Sequence, residues 1–341
     1  MSTQSSGIAL VPDRPSPWAG LVLVTVIAGA ALLAGRHAPL IGGPVFGIVF
    51  GILVRHFLAP GAAFEPGIRF AAKHVLQWSI VALGAGLSLA QVAHTGLDSL
   101  AVTAVTVSTA ALAAWLAGRM LGVGGRLTLL IGVGTAICGG SAIAAVAPIV
   151  KPDSHETAFA ISTIFLFNVV AVLLFPMLGH WLHLSNSGFG MWAGTAINDT
   201  SSVVAAGYSY SKEAGDFATI VKLTRATLIM PICLVLALVA ASREKRKGSG
   251  NFQLARIFPW FILWFLVASG LRTAGMIPSA AQPAIREAAE FLIIVALSAI
   301  GLSSNLRQMA ATGIRPIVLG LGVWVAVSVS SLVVQYAMGQ I

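Results

Sequence analysis

Charged residues are scarce in this chain. Lysine, arginine, aspartate and glutamate together make up 9% of the 341 residues, whereas apolar residues make up 57%. A soluble domain carries about a quarter charged residues. The low charged fraction therefore excludes a water-soluble fold, and the mean hydropathy of +0.92 agrees with this conclusion.

Cysteines and known catalytic motifs are also scarce. Cys138 and Cys233 are the only cysteines, and both lie inside apolar segments, so neither a disulfide framework nor a cysteine metal site is expected. No HExxH, nucleophile-elbow or Walker A pattern occurs. We therefore expect a protein that is not an enzyme and holds no metal or organic cofactor. The N-terminus lacks a signal-peptide pattern, so the first apolar segment is expected to be retained.

Long apolar runs dominate the rest of the sequence. Each is long enough to cross a hydrocarbon core of about 30 Å as a helix, and none has the alternation of a β-barrel strand. The pattern predicts an all-α polytopic membrane protein in contact with a lipid bilayer. About eleven spans are predicted, at residues 18–35, 39–58, 74–93, 98–118, 127–150, 155–180, 187–210, 215–241, 257–275, 285–306 and 314–338.

The distribution of positive charge predicts the orientation. With a cytoplasmic N-terminus, twelve lysines and arginines fall in inside connections and five in outside ones, as the positive-inside rule requires. This bias accounts for the net charge of +9 without a nucleic-acid partner. We predict a cytoplasmic tail at 1–17 and a single transmembrane transporter domain at 18–341, with a basic cytoplasmic loop at 242–256.

Glycines and small polar residues are concentrated in two stretches with a shared spelling. The first reads GTAICGGSAIAA from Gly134 and the second GTAINDTSSVVAA from Gly194. Irregular backbone at membrane depth is tolerated only where it faces protein or water. Adjacent glycines weaken a helix and serine or aspartate can cap a new one. The stretches therefore predict discontinuous helices, with interruptions near 138–141 and 198–201.

Asp199 is the one carboxylate predicted near the middle of the membrane. An acid at this depth is costly and is by default a functional candidate. It can also cap the half-helix that follows it, and the two roles are compatible. A half-helix N-terminus at this depth presents free N–H groups, which bind an anion or stabilise a carboxylate.

Lys222 and Arg225 supply positive charge in the eighth predicted span. They are three residues apart, hence on one helix face, and lie several residues inside the apolar segment. Two interpretations stay open: a cationic clamp for a substrate, or a counter-charge for Asp199. The planar fork of arginine suits an oxyanion or a carboxylate, so the residues favour an anionic substrate.

Internal similarity suggests an inverted repeat. The stretch IVALGAGLS from Ile80 is echoed by IVALSAIGLS from Ile294, in predicted spans of opposite direction. The two GTAI stretches lie 60 residues apart with one span between them. They would run in the same direction if both crossed the membrane, so the sequence leaves open whether they form a repeat.

Together with ATIVKLTR, which ends at Arg225, these stretches resemble the YeiH-type sulfate exporter family of bacterial inner-membrane proteins, a family named for a predicted activity. The similarity extends over essentially the whole chain. It implies an NhaA/bile-acid-symporter-like fold, with a core domain of crossed discontinuous helices beside a scaffold domain, and a homodimer as the expected assembly. The substrate-binding residues that we assign are Thr135, Cys138, Gly139, Gly140, Ser141, Asn198, Asp199, Thr200, Ser201, Lys222 and Arg225.

The sequence thus predicts a secondary active transporter for a small inorganic or organic anion, namely sulfate or a related sulfur oxyanion or sulfonate. Transport would proceed by alternating access, with H⁺ or Na⁺ as the coupling ion at or near Asp199. The alternative is a Na⁺/H⁺-type cation antiporter that uses Asp199 as its ion-binding carboxylate. A membrane sensor or scaffold is disfavoured, because it leaves the buried charges unexplained.

Overall fold

The computed structural model describes residues 16–38, 42–243, 260–304 and 313–341, and these ranges are helical and contain no strand. The helices are α1 (Trp18–His37), α2 (Gly42–Leu58), α3 (Glu65–Phe70), α4 (Leu76–Gly84), α5 (Leu89–Met120), α6 (Gly125–Ala136), α7 (Gly140–Val150), α8 (Ser154–Trp181), α9 (Asn186–Ala196), α10 (Thr200–Tyr210), α11 (Lys212–Thr227), α12 (Ile229–Arg243), α13 (Trp260–Thr273), α14 (Gln282–Ser303) and α15 (Ile314–Ala337). A π-helical turn at Ala71–Val75 joins α3 to α4. The predicted tail at 1–17 and basic loop at 242–256 lie outside the described residues, except for 16–17 and 242–243.

Helix length and composition confirm the class of protein. Five described helices are long and apolar enough to cross a membrane, at Trp18–His37, Leu89–Met120, His155–Trp181, Lys212–Leu236 and Ile314–Ala337. Shorter apolar helices accompany them, and large apolar side chains cover much of the outer surface. Exposed apolar surface of this extent suits lipid rather than water. The chain is an all-α multi-pass membrane protein.

The helices pack into two groups. The α14 group contains α1 to α4, α13 and α14, and its apolar core includes Val24, Ile68 and Val295. The hairpin group contains α5 to α12 and α15, and its core includes Ile143 and Val323.

Helices α6 and α7 form a hairpin that returns to the end of the bundle where it starts. A Cβ at Gly124, just before α6, would lie 3.6 Å from a carboxylate oxygen of Glu156, in the first turn of α8. A Cβ at Gly134 would lie 3.1 Å from Ile164, so α6 and α8 run side by side in the same direction. Only residues 151–153 separate α7 from α8. We call this end of the bundle end A.

Helices α9 and α10 form a second hairpin, which enters from the opposite end. The hydroxyl of Ser211, after α10, donates to the side-chain oxygen of Asn186 at the start of α9, at 2.9 Å. The hydroxyl of Tyr210 donates to the carbonyl of Leu184, just before α9. Helix α8 spans 28 residues and connects the two ends, so we call this second end of the bundle end B.

The hairpins correct one part of the sequence interpretation. The predicted spans at 127–150 and 187–210 each turn back instead of crossing the bundle. The two GTAI stretches consequently enter from opposite ends, which is the relation that an inverted repeat requires. The correspondence extends to the next helix: a Cβ at Gly194 would lie 2.7 Å from Val221 on α11, just as Gly134 faces Ile164 on α8.

Candidate functional site

The tips of the two hairpins meet inside the hairpin group. A Cβ at Gly139 would lie 3.4 Å from the Cβ of Asp199, and Gly139 has φ +67°, a conformation that glycine adopts without strain. The backbone N–H of Asp199 donates to the side-chain oxygen of Asn168 on α8, at 3.2 Å. The interruptions predicted near 138–141 and 198–201 lie at these two tips.

Lys222 on α11 holds the two tips together. Its side chain is fully buried, and its ammonium donates to the carbonyls of Ile137 at 2.8 Å, Ile197 at 3.0 Å and Asn198. These three hydrogen bonds use all three N–H groups of an ammonium. The charge of Lys222 is therefore committed to backbone groups of the protein itself.

Arg225 repeats this arrangement one turn further along α11. Its buried guanidinium donates to the carbonyl of Ala136 at 2.6 Å and to those of Thr135 and Thr195. These carbonyls belong to the C-terminal turns of α6 and α9, where the last carbonyls have no intrahelical partner and carry partial negative charge. Arg225 therefore stabilises the inner ends of both first half-helices.

This geometry differs from both interpretations of the cations that the sequence left open. No ion pair links Asp199 to either cation within the described residues. Neither Lys222 nor Arg225 lines the cavity described below. Both side chains instead neutralise the partial negative charge at the C-terminal ends of the broken helices. Their partners are backbone carbonyls and not acidic side chains.

A cavity of about 910 Å³ lies between the α14 group and the hairpin group, towards end A. Exposed Lys73 and Asp153 line its mouth. An apolar wall includes Ile80, Phe165 and Ile300, and the cavity extends inwards to the hairpin tips. The residues of the tips that line it are Ser141, Asp199, Thr200 and Ser201.

The two second half-helices begin at this cavity, but their first turns are capped differently. Asp199 caps α10, because its carboxylate accepts from the backbone N–H of Ser201 at 3.0 Å and from the Ser201 hydroxyl. The residue before α7 is Gly139, which has no side chain to cap with. The thiol of Cys138 accepts from the N–H of Ala142, but the amides of Gly140 and Ser141 have no side-chain acceptor among the described residues. Helix N-terminal amides without an acceptor bind anions readily.

The remaining predicted site residues lie beneath the tips. Thr135, Cys138, Gly139 and Asn198 are buried, and Gly140 is half-buried at the start of α7. Both amide atoms of Asn198 and the hydroxyl of Thr135 have no hydrogen-bond partner among the described residues. The sequence thus selected both tips, but only part of each tip faces the cavity.

Sequence reasoning missed the residues contributed by neighbouring helices. Asn168 binds the Asp199 tip, and Gln77 and Ser162 line the cavity. Asn168 had a detectable signal, because it is a buried amide in the middle of the long apolar helix α8. Gln77 and Ser162 had none, since their position depends on how the two helix groups pack.

The fold and the site define a multi-pass helical membrane protein in which two opposed hairpin tips meet at a cavity. A family model described as "Conserved hypothetical protein 698" matches residues 19–320, and the chain belongs to this family.

Similar proteins agree with this assignment. The UPF0324 membrane protein FN0533 of Fusobacterium nucleatum is 41% identical over 340 residues, covering 94% of this chain and 98% of the relative. The UPF0324 membrane protein spr0034 of Streptococcus pneumoniae is 43% identical over 329 residues, covering 94% and 97%. A UPF0324 membrane protein of Streptococcus mutans is 41% identical over 331 residues, with the same coverage. These names describe membrane proteins and state no substrate.

Proposed function

We propose that this chain is a secondary active transporter for a small anion, rather than an enzyme. The observation that carries the proposal is the N-terminus of α7, which has no capping side chain at Gly139 and reaches the cavity at Ser141, beside the N-terminus of α10. Amides at the start of a helix are donors without an acceptor, and their partial positive charge favours a bound anion.

A charge balance at the tips favours an anion over a cation. Each helix end contributes roughly half an elementary charge, positive at an N-terminus and negative at a C-terminus, so the four half-helix ends cancel. Lys222 and Arg225 add two positive charges, and Asp199 adds one negative charge. About one positive charge remains at the tips, and an anion that binds in the cavity can neutralise it.

The fold supports an NhaA/bile-acid-symporter-like arrangement, with the hairpin group as the core domain and the α14 group as the scaffold domain. In place of eleven spans we propose nine crossing segments and two re-entrant hairpins, in the bacterial inner membrane and as a homodimer.

Returning the first hairpin to end A moves Lys151 to the cytoplasmic side. The inside-to-outside count of lysines and arginines then changes from twelve against five to thirteen against four, which supports a cytoplasmic N-terminus and a cytoplasmic end A.

The resemblance to YeiH-type exporters makes sulfate the first substrate to test, and the apolar wall of the cavity makes small alkyl sulfonates the second. The experiment is uptake of radiolabelled sulfate, or of a labelled sulfonate, by proteoliposomes under an imposed pH or Na⁺ gradient. Flux above that of protein-free vesicles is expected for at least one of these anions. Flux equal to that of empty vesicles for every one, with purified folded protein, would remove the anion proposal.

A second candidate, a Na⁺/H⁺-type cation antiporter, rests on Asp199. Its carboxylate is half-buried, lines the cavity and forms no ion pair with a described cation. Solid-supported membrane currents separate the candidates. A current on a Na⁺ or pH step without any oxyanion favours the antiporter, whereas a current that needs the oxyanion favours the anion transporter.

A further inference from the structure

Two ion pairs join the helix groups at end B. A terminal guanidinium nitrogen of Arg286 lies 3.2 Å from a carboxylate oxygen of Asp216, and the ammonium of Lys212 lies 3.1 Å from Glu290. Arg286 and Glu290 belong to α14, whereas Asp216 and Lys212 belong to α11. Asp216 also accepts a hydrogen bond from Tyr208. Both pairs therefore connect the α14 group to the hairpin group.

Apolar packing closes the same end between the two groups. Val45 of α2 and Ile293 of α14 share a buried cluster with Val204 and Ala205 of α10. A Cβ at Gly42 would lie 3.2 Å from the backbone of Ser209. Towards end A the contact is less complete: Ile262 of α13 packs in the apolar core of the hairpin group, but the cavity lies between α8 of the hairpin group and α4 and α14.

Two opposite charges face this open space. Lys73 belongs to the α14 group and Asp153 to the hairpin group, and both are exposed at the cavity mouth. They are not paired with each other. The Asp153 carboxylate caps α8 by accepting from the N–H of Glu156 at 2.6 Å, and a capping carboxylate can still accept from an ammonium.

We propose that these charges form two alternating gates. The pairs Arg286–Asp216 and Lys212–Glu290 hold end B closed in the conformation described here, and a Lys73–Asp153 pair forms when end A closes. The inference rests on the proposed function, because it assigns the gates to the two sides of the transport site. An ion pair made in only one conformation shifts the equilibrium by its free energy in that conformation.

Labelling of a reporter cysteine tests the gates without any substrate. Gln77→Cys places a thiol on the cavity wall one helical turn beyond Lys73, and the native cysteines are buried. The full chain in lipid nanodiscs is treated with a bulky polar maleimide. The double variant Asp216→Asn with Glu290→Gln should slow labelling by about twofold or more, because end A is then closed more often.

The matched control is Glu213→Gln, which removes the same charge from an exposed residue of α11 that forms neither pair. Adding Lys73→Gln and Asp153→Asn to the slow variant should restore the labelling rate, since the end A pair can no longer form. Asparagine caps a helix as well as aspartate does, so α8 is retained. Recovery of the rate also shows that the slow variant is folded.

The gates are overturned if the double variant Asp216→Asn with Glu290→Gln labels at the wild-type rate or at the rate of Glu213→Gln. They are also overturned if the double variant labels slowly and the rate is not restored by adding Lys73→Gln and Asp153→Asn. This readout is independent of substrate. Expected labelling without anion flux would remove the proposed substrate and keep the gates, whereas anion flux with unchanged labelling would do the reverse.

Discussion

The sharpest test of the anion site is substitution of Gly140, the first residue of α7. Its backbone N–H is one of the amides that have no intrahelical acceptor. Gly140→Pro deletes this single donor, and proline is accommodated at the first position of a helix because its φ suits that position. Gly140→Ala is the matched control, because it keeps the N–H and its Cβ would meet no atom within 4 Å.

The size of the effect follows from the hydrogen bond that is lost. A hydrogen bond to a charged group contributes about 1.5–3 kcal/mol, which corresponds to a roughly ten- to hundredfold change in dissociation constant. We therefore expect Gly140→Pro to weaken binding of the transported anion by that factor and Gly140→Ala to leave it near the wild-type value. Both proteins should unfold at nearly the wild-type temperature, since neither change removes a bond made within the helix.

The assay is equilibrium binding of the radiolabelled anion to purified protein, with thermal unfolding measured on the same samples. A Gly140→Pro protein that is folded and binds as tightly as Gly140→Ala would refute the reasoning. The anion would then not be held by the first amide of α7, and the charge balance at the tips would have to be met elsewhere.

The other predictions concern stability at the tips. Lys222→Met leaves three buried carbonyls without a donor, and each unpaired carbonyl costs about 1–3 kcal/mol of folding free energy. It should therefore lower the unfolding temperature much more than Thr224→Ala on the same helix. Asp199→Asn keeps the cap and should change stability by less than about 1 kcal/mol, whereas Asp199→Ala should cost about 1 kcal/mol; equal unfolding temperatures would contradict the capping role. Gly139→Ala should cost about 1–3 kcal/mol, because φ +67° with ψ −129° is a conformation that residues with a Cβ rarely adopt. Gly322→Ala, with no atom within 4 Å of its Cβ, should be neutral or stabilising in the same unfolding experiment.

The positions of the two helix breaks were predictable because the signal is local. Paired glycines, or five polar residues in succession, have a direct physical cost inside an apolar helix. The class of protein was predictable for a similar reason, since chain composition alone excludes a soluble core. These features depend on short segments, and they needed no knowledge of which residues are neighbours in space.

The return of each hairpin was not predictable in this way. The stretches 127–150 and 187–210 are both long and apolar enough to cross a membrane, so their length favoured crossing. The second hairpin is fixed by contacts such as that of Ser211 with Asn186, between residues 25 positions apart. The partners of Lys222 and Arg225 were hidden for another reason, because every one is a backbone carbonyl and carbonyls leave no pattern in a sequence.

The internal correspondence between the two hairpin units explains why the buried cations and the ligand site are separate. Gly134 faces Ile164 as Gly194 faces Val221, and four residues further along these helices Asn168 on α8 corresponds to Arg225 on α11. Of these two corresponding helices, only α11 carries buried cations, and they bind the carbonyls at the C-terminal ends of α6 and α9. The amides of Gly140 and Ser141 at the start of α7 have no side-chain acceptor among the described residues, and Ser141 lines the cavity. A change at Lys222 should consequently act first on the unfolding temperature, and a change at Gly140 on the dissociation constant of the anion, so that the two measurements distinguish the structural charge from the binding site.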